Sequence, residues 1–528
     1  MKKTKSSSDR SVIHTPLCAG LLLALGTGGG VFSTSLSANA QTPVSGTIIN
    51  QVWTSNNSPY SVVGNINVAG LTINPGVTVI FTTNYAFEVD GVLTAKGTPG
   101  TPIVFKGTNG GWQGIYFNYS SPGSILANCI ISNSINSGVQ IYNSNPLLDN
   151  CVIAKNRSST NGGGVSIVNT NAAGAVILQN CLITDNTSVQ NGAGIYAMLG
   201  TNSLLEVTGC LISNNIANPS VVNENSYGGG VFVSGNAVLR FCNIRNNICR
   251  GGSAFSNDRG GFGGGILSEN GSDILLNCVV ANNSVITTGG GVSYAYGGGI
   301  AVINAGTFWA TNSVIGSNVV SASGSFGAVF NGGGISMQST NGAVVNCTIA
   351  YNNIEGLYSA NPSLPVLNTI LYFNANNGTQ IVGATNVTYC DVENAVTGIG
   401  NINHNPIFLS QADLIIVPGS PCIDAGSTNA IYNNAYFPPS IGQSYNDIGA
   451  HGGPGAGPVL NITVWPPPEV DFYGGVPGYN YLIQASTNLL DWVTVEPVQI
   501  AHIGDTANFV EPDANLLPHR FYKLNLAP

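Results

Sequence analysis

Apolar and polar residues alternate along this chain in bursts of four or five, and the bursts themselves recur. The pattern is clearest from Asn277 to Val302, which reads Asn-Cys-Val-Val-Ala-Asn-Asn, a polar and aromatic interval, then Tyr-Gly-Gly-Gly-Ile-Ala-Val. The first half returns as Asn128-Cys129-Ile130-Ile131, Asn150-Cys151-Val152-Ile153, Asn180-Cys181-Leu182-Ile183, Cys210-Leu211-Ile212, Cys242-Asn243-Ile244 and Asn346-Cys347-Thr348-Ile349. Ser313 and Thr369 fill the cysteine's slot in two further copies. The second half is a glycine before a short strand, at Gly70, Gly91, Gly114, Gly138, Gly164, Gly194, Gly230, Gly265, Gly299, Gly334 and Gly356. Self-similarity of this kind decides the architecture before any single element is assigned.

The steps between these glycines run 21, 23, 24, 26, 30, 36, 35, 34, 35 and 22. A step of about 22 residues holds three short strands and their turns, one coil of a parallel β-helix. The longer steps are the same coil carrying an insert. No apolar pattern of period 3.6 persists for ten residues, which argues against a helical repeat. A propeller blade needs four strands and about 40 residues, more than the short copies hold. The expected fold is all-β: a right-handed parallel β-helix (solenoid), its hand set by the bias of parallel crossovers. A small β-sandwich-like C-terminal domain follows, where strands alternate with turns every 8 to 12 residues.

The ends divide the chain further. Lys2, Lys3, Lys5 and Arg10 precede the apolar run Leu17 to Leu25 and a small-residue stretch ending Ala38-Asn39-Ala40. This predicts a secretory signal over 1–40, cleaved after Ala40, and its apolar run is far too short for a membrane span. The expected order is then N-terminal cap and first coils (41–120), main coils (121–390), a C-terminal cap (391–451), a Gly/Pro linker (452–458) and a small β module (459–528). No stretch of the mature chain is long or apolar enough to cross a bilayer.

Removing the signal takes four of 14 basic and one of 23 acidic residues, leaving 10 against 22 and a net charge of −12. Phosphate binding needs a basic patch, so nucleic acid is not an expected partner. Charged residues are only 7% of the chain, against about a quarter in ordinary domains. Asn, Ser, Thr and Gly hold the surface instead. Of the mature cysteines, Cys129, Cys151, Cys181, Cys210, Cys242, Cys278 and Cys347 share one repeat position and should stack as small buried thiols. Ser313 and Thr369 in the same slot indicate that size matters there more than pairing. Cys390 and Cys422 fall outside that ladder and are candidates for a bridge.

Several segments resemble known families. Trp53, Pro59-Tyr60, Leu71-Thr72-Ile73-Asn74-Pro75-Gly76-Val77-Thr78-Val79 and Gly91-Val92-Leu93-Thr94-Ala95-Lys96-Gly97-Thr98 resemble the N-terminal segment of secreted bacterial β-helix proteins of the pectin-lyase-like superfold. The Cys and Gly-Gly-Gly halves are similar to the repeats of polymorphic outer-membrane proteins, which are autotransported adhesins. The chain departs from these in lacking a C-terminal run of ten-residue amphipathic strands for a translocating barrel. Pro418-Gly419-Ser420-Pro421-Cys422-Ile423-Asp424-Ala425-Gly426 and Asp447-Ile448-Gly449-Ala450 resemble the segment called a choice-of-anchor domain. That resemblance implies attachment to the cell exterior, and physically the segment reads as a cap over the last coil. Tyr481 to Leu489, Asp491-Trp492 and Arg520-Phe521-Tyr522-Lys523 resemble a small β module that closes many secreted bacterial proteins.

Many β-helices of this superfold are polysaccharide lyases or hydrolases, which implies acids, or Ca²⁺ with a base, on the outer face of one strand stack. If the glycine strand alternates, its outward row is Thr72, Tyr116, Gln140, Ser166, Tyr196, Phe232, Leu267, Ala301, Ser336 and Tyr358. That row has no carboxylate or basic group for acid–base work or Ca²⁺ ligation. The cysteine strand adds only Arg245 and Glu393, several coils apart. Arg240, Arg245, Arg250, Asp258, Arg259, Glu269 and Asp273 crowd about one coil. A uronate site using Arg250 or Arg259 with Asp258 competes there with a solvated loop of weak ion pairs. No catalytic residue, metal site or cofactor is expected: His404, His451, His502 and His519 are scattered, and no Cys-x-x-Cys occurs.

One pattern remains. Each long insert ends in an aromatic just before its glycines, at Tyr227, Phe262, Tyr296 and, one residue earlier, Phe330. The coil-length spacing predicts an axial ladder, either packed upon itself or a platform for sugar rings with Arg250 and Arg259 at its flank. The sequence therefore reads as a secreted or cell-surface bacterial β-helix protein, non-catalytic and adhesin-like. Its expected partner is an extracellular polysaccharide or another surface ligand. The alternative is a polysaccharide lyase or glycoside hydrolase.

Overall fold

The computed structural model describes residues 41–528 except 109, 218–224, 252–258, 290, 339, 376–377, 464–468, 511–519 and 528. The signal segment and its cleavage point at Ala40 lie outside the described residues. The chain winds as a right-handed parallel β-helix, each coil laying one strand on each of three stacks. The glycine stack contains Ile115–Asn118, Val139–Tyr142, Val165–Asn169 and Ile195–Leu199, paired in parallel and in register. The second stack follows with Ile125–Ala127, Leu147–Asp149 and Gly174–Gln179. The cysteine stack closes the coil with Cys129–Ser132, Val152–Ala154 and Leu182–Thr184. Inward residues of all three, such as Ile141, Leu148 and Ile153, form one continuous apolar core.

Asparagine makes the corners. Asn128, Asn150, Asn180, Asn277, Asn312, Asn346 and Asn368, each just before the cysteine slot, sit at φ between 48° and 54°. That left-handed conformation is one asparagine tolerates better than most side chains. The next corner uses a second left-handed residue, for example Asn214, Asn246 or Asn282, and then a buried asparagine. These are Asn156, Asn186, Asn215, Asn247, Asn283, Asn318, Asn352 and Asn374. Within this ladder, the backbone N–H and Nδ2 of Asn247 both donate to Oδ1 of Asn283 at 3.0 Å, and its Nδ2 also donates to the carbonyl of Ile212 at 2.9 Å. The same triplet repeats from coil to coil. Buried amides are costly unless paired, and here each coil satisfies its neighbour.

The cysteines stack beside this ladder, and all ten described thiols are free and buried. Each thiol in the repeat slot donates to the carbonyl two residues before it, as in Cys151 to Asp149 at 3.4 Å and Cys181 to Gln179 at 3.2 Å. The hydroxyls of Ser313 and Thr369 make the same bond at 2.9 Å, which is why they can replace a thiol. Two sequence expectations change here. Cys390 belongs to the ladder, donating to Thr388 at 3.2 Å, while Cys422 donates to Asp391 Oδ2 at 3.1 Å. The two do not bridge. Burial pushes the Cys347 and Cys390 thiols up to about 12.

Gly70 and Gly91 also move. The strand Tyr60–Ile73 runs unbroken through all three stacks, and its register shifts between Val68 and Gly70. Both glycines therefore mark the corner after the glycine stack rather than the one before it. At Gly91 a Cβ would meet the carbonyl oxygen of Ala69 at 2.0 Å, so no other residue fits.

The C-terminal part does not extend the coil axis. Residues 392–402 close the last coil, with Ile402 bridging to Asp391 and Val396 against the core. The chain then turns back along the outside of the cysteine stack, whose outward row there is apolar. Leu414 and Ala450 cover Val279, Val314 and Ala350, and Ile416, Cys422 and Ile448 cover Ile370 and Tyr372. The segment expected as an end cap thus shields a flank. The corner asparagines hold it down: Asn312 Nδ2 donates to the carbonyl of Gly452 at 2.7 Å, Asn277 Nδ2 to that of Gly455 at 3.0 Å, and Asn368 Oδ1 accepts from Ser427 N at 2.7 Å. The Gly/Pro run expected as a linker is accordingly bound in place.

Beyond it, two antiparallel three-stranded sheets pack around Val470, Phe472, Tyr481, Ile483 and Val498. This is the small sandwich, and it docks on the same flank. Tyr473 lies flat on Phe241, ring centroids 5.2 Å apart at 13°, and its hydroxyl donates to Asn180. Between those coils sits Gly209, where a Cβ would come within 2.4 Å of the Tyr473 ring.

The two ladders predict opposite sensitivities. Cys278→Ser should change stability by less than about 1 kcal/mol, because a hydroxyl makes the same bond. Asn283→Ala orphans two buried donors of Asn247 and should cost about 3 kcal/mol. Chemical denaturation of both variants checks this, and native thiols should label only on unfolding.

Candidate functional site

The inserts of the long coils leave from one corner and pair with each other. Arg157–Ser158, Thr187–Ser188, Ile216–Ala217, Ile248–Gly251, Ser284–Gly289 and Val319–Gly324 form a six-stranded parallel sheet. Ser226–Tyr227, Arg259–Phe262, Ser293–Tyr296 and Ala328–Asn331 form a four-stranded one. Between them lies a second small core of Cys249, Val285, Ala295 and Val320.

The aromatic ladder exists, but it faces the helix. Tyr227 stacks on Phe262 at 5.2 Å and 20°, and Phe262 meets the edge of Tyr296 at 5.4 Å. Tyr227 and Phe262 pack onto Tyr196, Phe232, Leu267 and Ala301, the outward row of the glycine stack, all buried. Tyr196 and Phe232 themselves stack at 4.9 Å and 9°. The rings form a roof over those coils, and burial raises the Tyr196, Tyr227 and Tyr296 phenols above their ordinary range. Phe330 is not part of it. Tyr296 pairs with Asn331, and Phe330 with Ala295, so the one-residue offset places Phe330 on the other face of its strand.

The charge cluster disperses as well. Arg245 reaches Asp505 of the sandwich at 3.9 Å on the cysteine flank, and Asp273 is buried, accepting from Ala237 N at 2.6 Å and from the Ser268 hydroxyl. Burial pushes the Asp273 carboxyl up to about 7. Arg250 is exposed on the six-stranded sheet, away from the ladder's packed face. Asp258 and the Arg259 side chain lie outside the described residues. Arg250, exposed on the opposite face of its strand from buried Cys249, is therefore not brought together with the rings as a platform.

Where the roof stops, the glycine stack is open. Its outward row continues toward the N-terminus from Ser166 through Gln140, Tyr116 and Glu88 to Asn67, each half-buried and in register. Glu88, not Thr72, is the member below Tyr116, so the row does contain a carboxylate. Asp90 stands two residues on. Asn118 Nδ2 donates to Glu88 Oε1 and Asn67 Nδ2 to Asp90 Oδ2, both at 2.7 Å, which fixes the two carboxylates. Gln140 is held between Asn136 Nδ2 and the carbonyl of Gln113, at 3.3 and 2.7 Å. Beside them Tyr119 and Tyr142 meet edge to face at 5.2 Å, with Tyr119 61% exposed. Burial and the Glu88 charge raise the Tyr116 phenol. Sequence counting missed this floor because it put Gly91 at the wrong corner. The period-2 pair Glu88 and Asp90 was the available signal.

No family model and no curated protein matches the chain. Among solved structures it is similar to the crystal structure of pectate lyase Pel9A, with 15% identity, 71% of this chain and 88% of that chain covered, and a TM-score of 0.33.

Tyr227→Ala and Tyr296→Ala remove roof packing. Each should destabilise by about 2–4 kcal/mol while leaving any ligand affinity of the open floor within twofold, measured by thermal melting and by titration with a bound glycan.

Proposed function

We propose that this is a secreted or cell-surface β-helix protein that binds a glycan on the open, N-terminal part of its glycine stack without transforming it. The observation carrying the reading is the floor itself: Tyr116, Tyr119 and Tyr142 beside amides and carboxylates already oriented by their neighbours. Sugar rings offer a C–H face for aromatic contact and a rim of hydroxyls for pre-aligned acceptors, and pre-alignment lowers the ordering cost of binding. Glu88 and Asp90 disfavour uronates and sulfated chains by like-charge repulsion. A neutral or amino-sugar polymer fits better.

One observation favours hydrolysis as a second reading. Two residues apart on one strand, Glu88 and Asp90 project from the same face and place two carboxyl groups on one surface, the pair of groups that glycoside hydrolysis uses. A glycan array with residues 41–528, read for binding and for released product, separates the two. Binding without product is expected. Tyr119→Ala and Tyr142→Ala should each weaken it roughly tenfold at unchanged melting temperature. Product release that Glu88→Gln and Asp90→Asn both abolish would establish the hydrolytic reading instead, and absence of binding to every glycan would refute both.

A further inference from the structure

The two insert sheets are guarded at one end and open at the other. At the first edge of the six-stranded sheet, Arg157 N donates to the carbonyl of Ser134 at 3.0 Å and accepts at its own carbonyl from Ser137 N at 2.8 Å. That edge is two residues long, contains exposed Arg157 and follows exposed Lys155. The four-stranded sheet begins the same way, with the Tyr227 carbonyl accepting from Gly192 N at 2.9 Å. The last strands, Val319–Gly324 and Ala328–Asn331, have no such cover, because the following coil crosses directly from Asn352 to Gly356. Asn353 stands in for a single residue of a next strand, its Nδ2 and Oδ1 each 2.8 Å from the backbone of Val320. Among the described residues no strand pairs beyond it.

Along its own length this open edge carries neither charge nor proline, two of the devices that keep sheets apart; the nearest charge is Glu355, which accepts from Gly332 N at 2.8 Å just past its end. From Val319 to Asn331 there is no charged residue and no proline. Phe326 at the connecting turn is 79% exposed, Phe330 46%, Val319 40% and Val329 38%. Residues 41–528 carry 10 basic against 22 acidic residues, a formal charge of −12, so two copies repel over most of their surface and least where charge is missing. An uncharged strand edge is complementary to itself under a twofold rotation, since antiparallel apposition offers each copy the same groups.

We infer that this edge is an interaction surface for a second copy of the chain, joined antiparallel across a twofold axis with Phe326, Val329 and Phe330 packed at the centre. Association through it leaves the glycan floor, on the N-terminal coils, free in both copies.

Sedimentation of residues 41–528 from about 1 to 100 μM should show a monomer–dimer equilibrium, a range that spans the affinities of small, apolar interfaces. The double variant Phe326→Lys, Val329→Lys should weaken the dimer by roughly 100-fold or more, two buried charges facing two. Because that variant could misfold, a second measurement uses the native edge: Ser325→Cys treated with a short bis-maleimide, against Arg157→Cys at the guarded edge. The native thiols are buried and do not compete. Crosslinked dimer from Ser325→Cys alone supports the inference. A monomer throughout the range, a dimer that survives the lysine pair, or equal crosslinking at both edges overturns it.

Discussion

The main coils of this protein depend on how the buried asparagine at their second corner is satisfied. A β-helix must turn its backbone inside a packed structure, and a turn exposes N–H and C=O groups that a strand would pair. Asn156 through Asn374 solve this with one side chain per coil, whose oxygen accepts from the preceding coil and whose amide donates both to a carbonyl of that coil and to the next side chain of the ladder. Such a ladder cannot end on itself. It finishes on Gln380, whose amide passes the last bond to Glu393 at 2.9 Å. Because each amide is bound on both sides, coil length can vary outside the corner but the corner cannot, and inserts of very different size share one exit point.

The corner before the cysteine slot does the opposite with the same residue. There the asparagine adopts a left-handed backbone and leaves its amide on the surface, where it binds whatever lies alongside. From Asn150 to Asn368 these amides hold the returning C-terminal chain, interrupted at Gly209 and Phe241, where Tyr473 is seated instead. The flank they border is apolar, so the return of residues 405–458 is a requirement of burial rather than an ornament. Of the three faces of the coil, one is thereby closed by the chain's own C-terminal part. The glycine face is half closed by the insert roof, and its N-terminal half remains open to a ligand.

Much of this was legible in the residues. Period-2 alternation identified the inward rows, and the repeating Cys and Gly-Gly-Gly halves set the coil length. Ser313 and Thr369 in the thiol slot showed that the cysteines are packed rather than bridged. Those features are local: strand, corner and the one side chain that fits each are decided within a few residues. Which outward rows stay outward was not legible. Tyr196 and Phe232 look exposed until Tyr227 and Phe262 from the inserts cover them, and Val279 and Val314 until Leu414 and Ala450 return from far along the chain. Phe330 was misplaced by a single position, which in a strand exchanges the two faces, and Gly91 by a whole strand, which put it at the wrong corner. The sequence by itself determined the coil, because its contacts repeat at short range. Only the tertiary structure decided which surface is free to bind, because that depends on segments brought together by loops and by the folded-back C-terminal chain, and no periodicity links them.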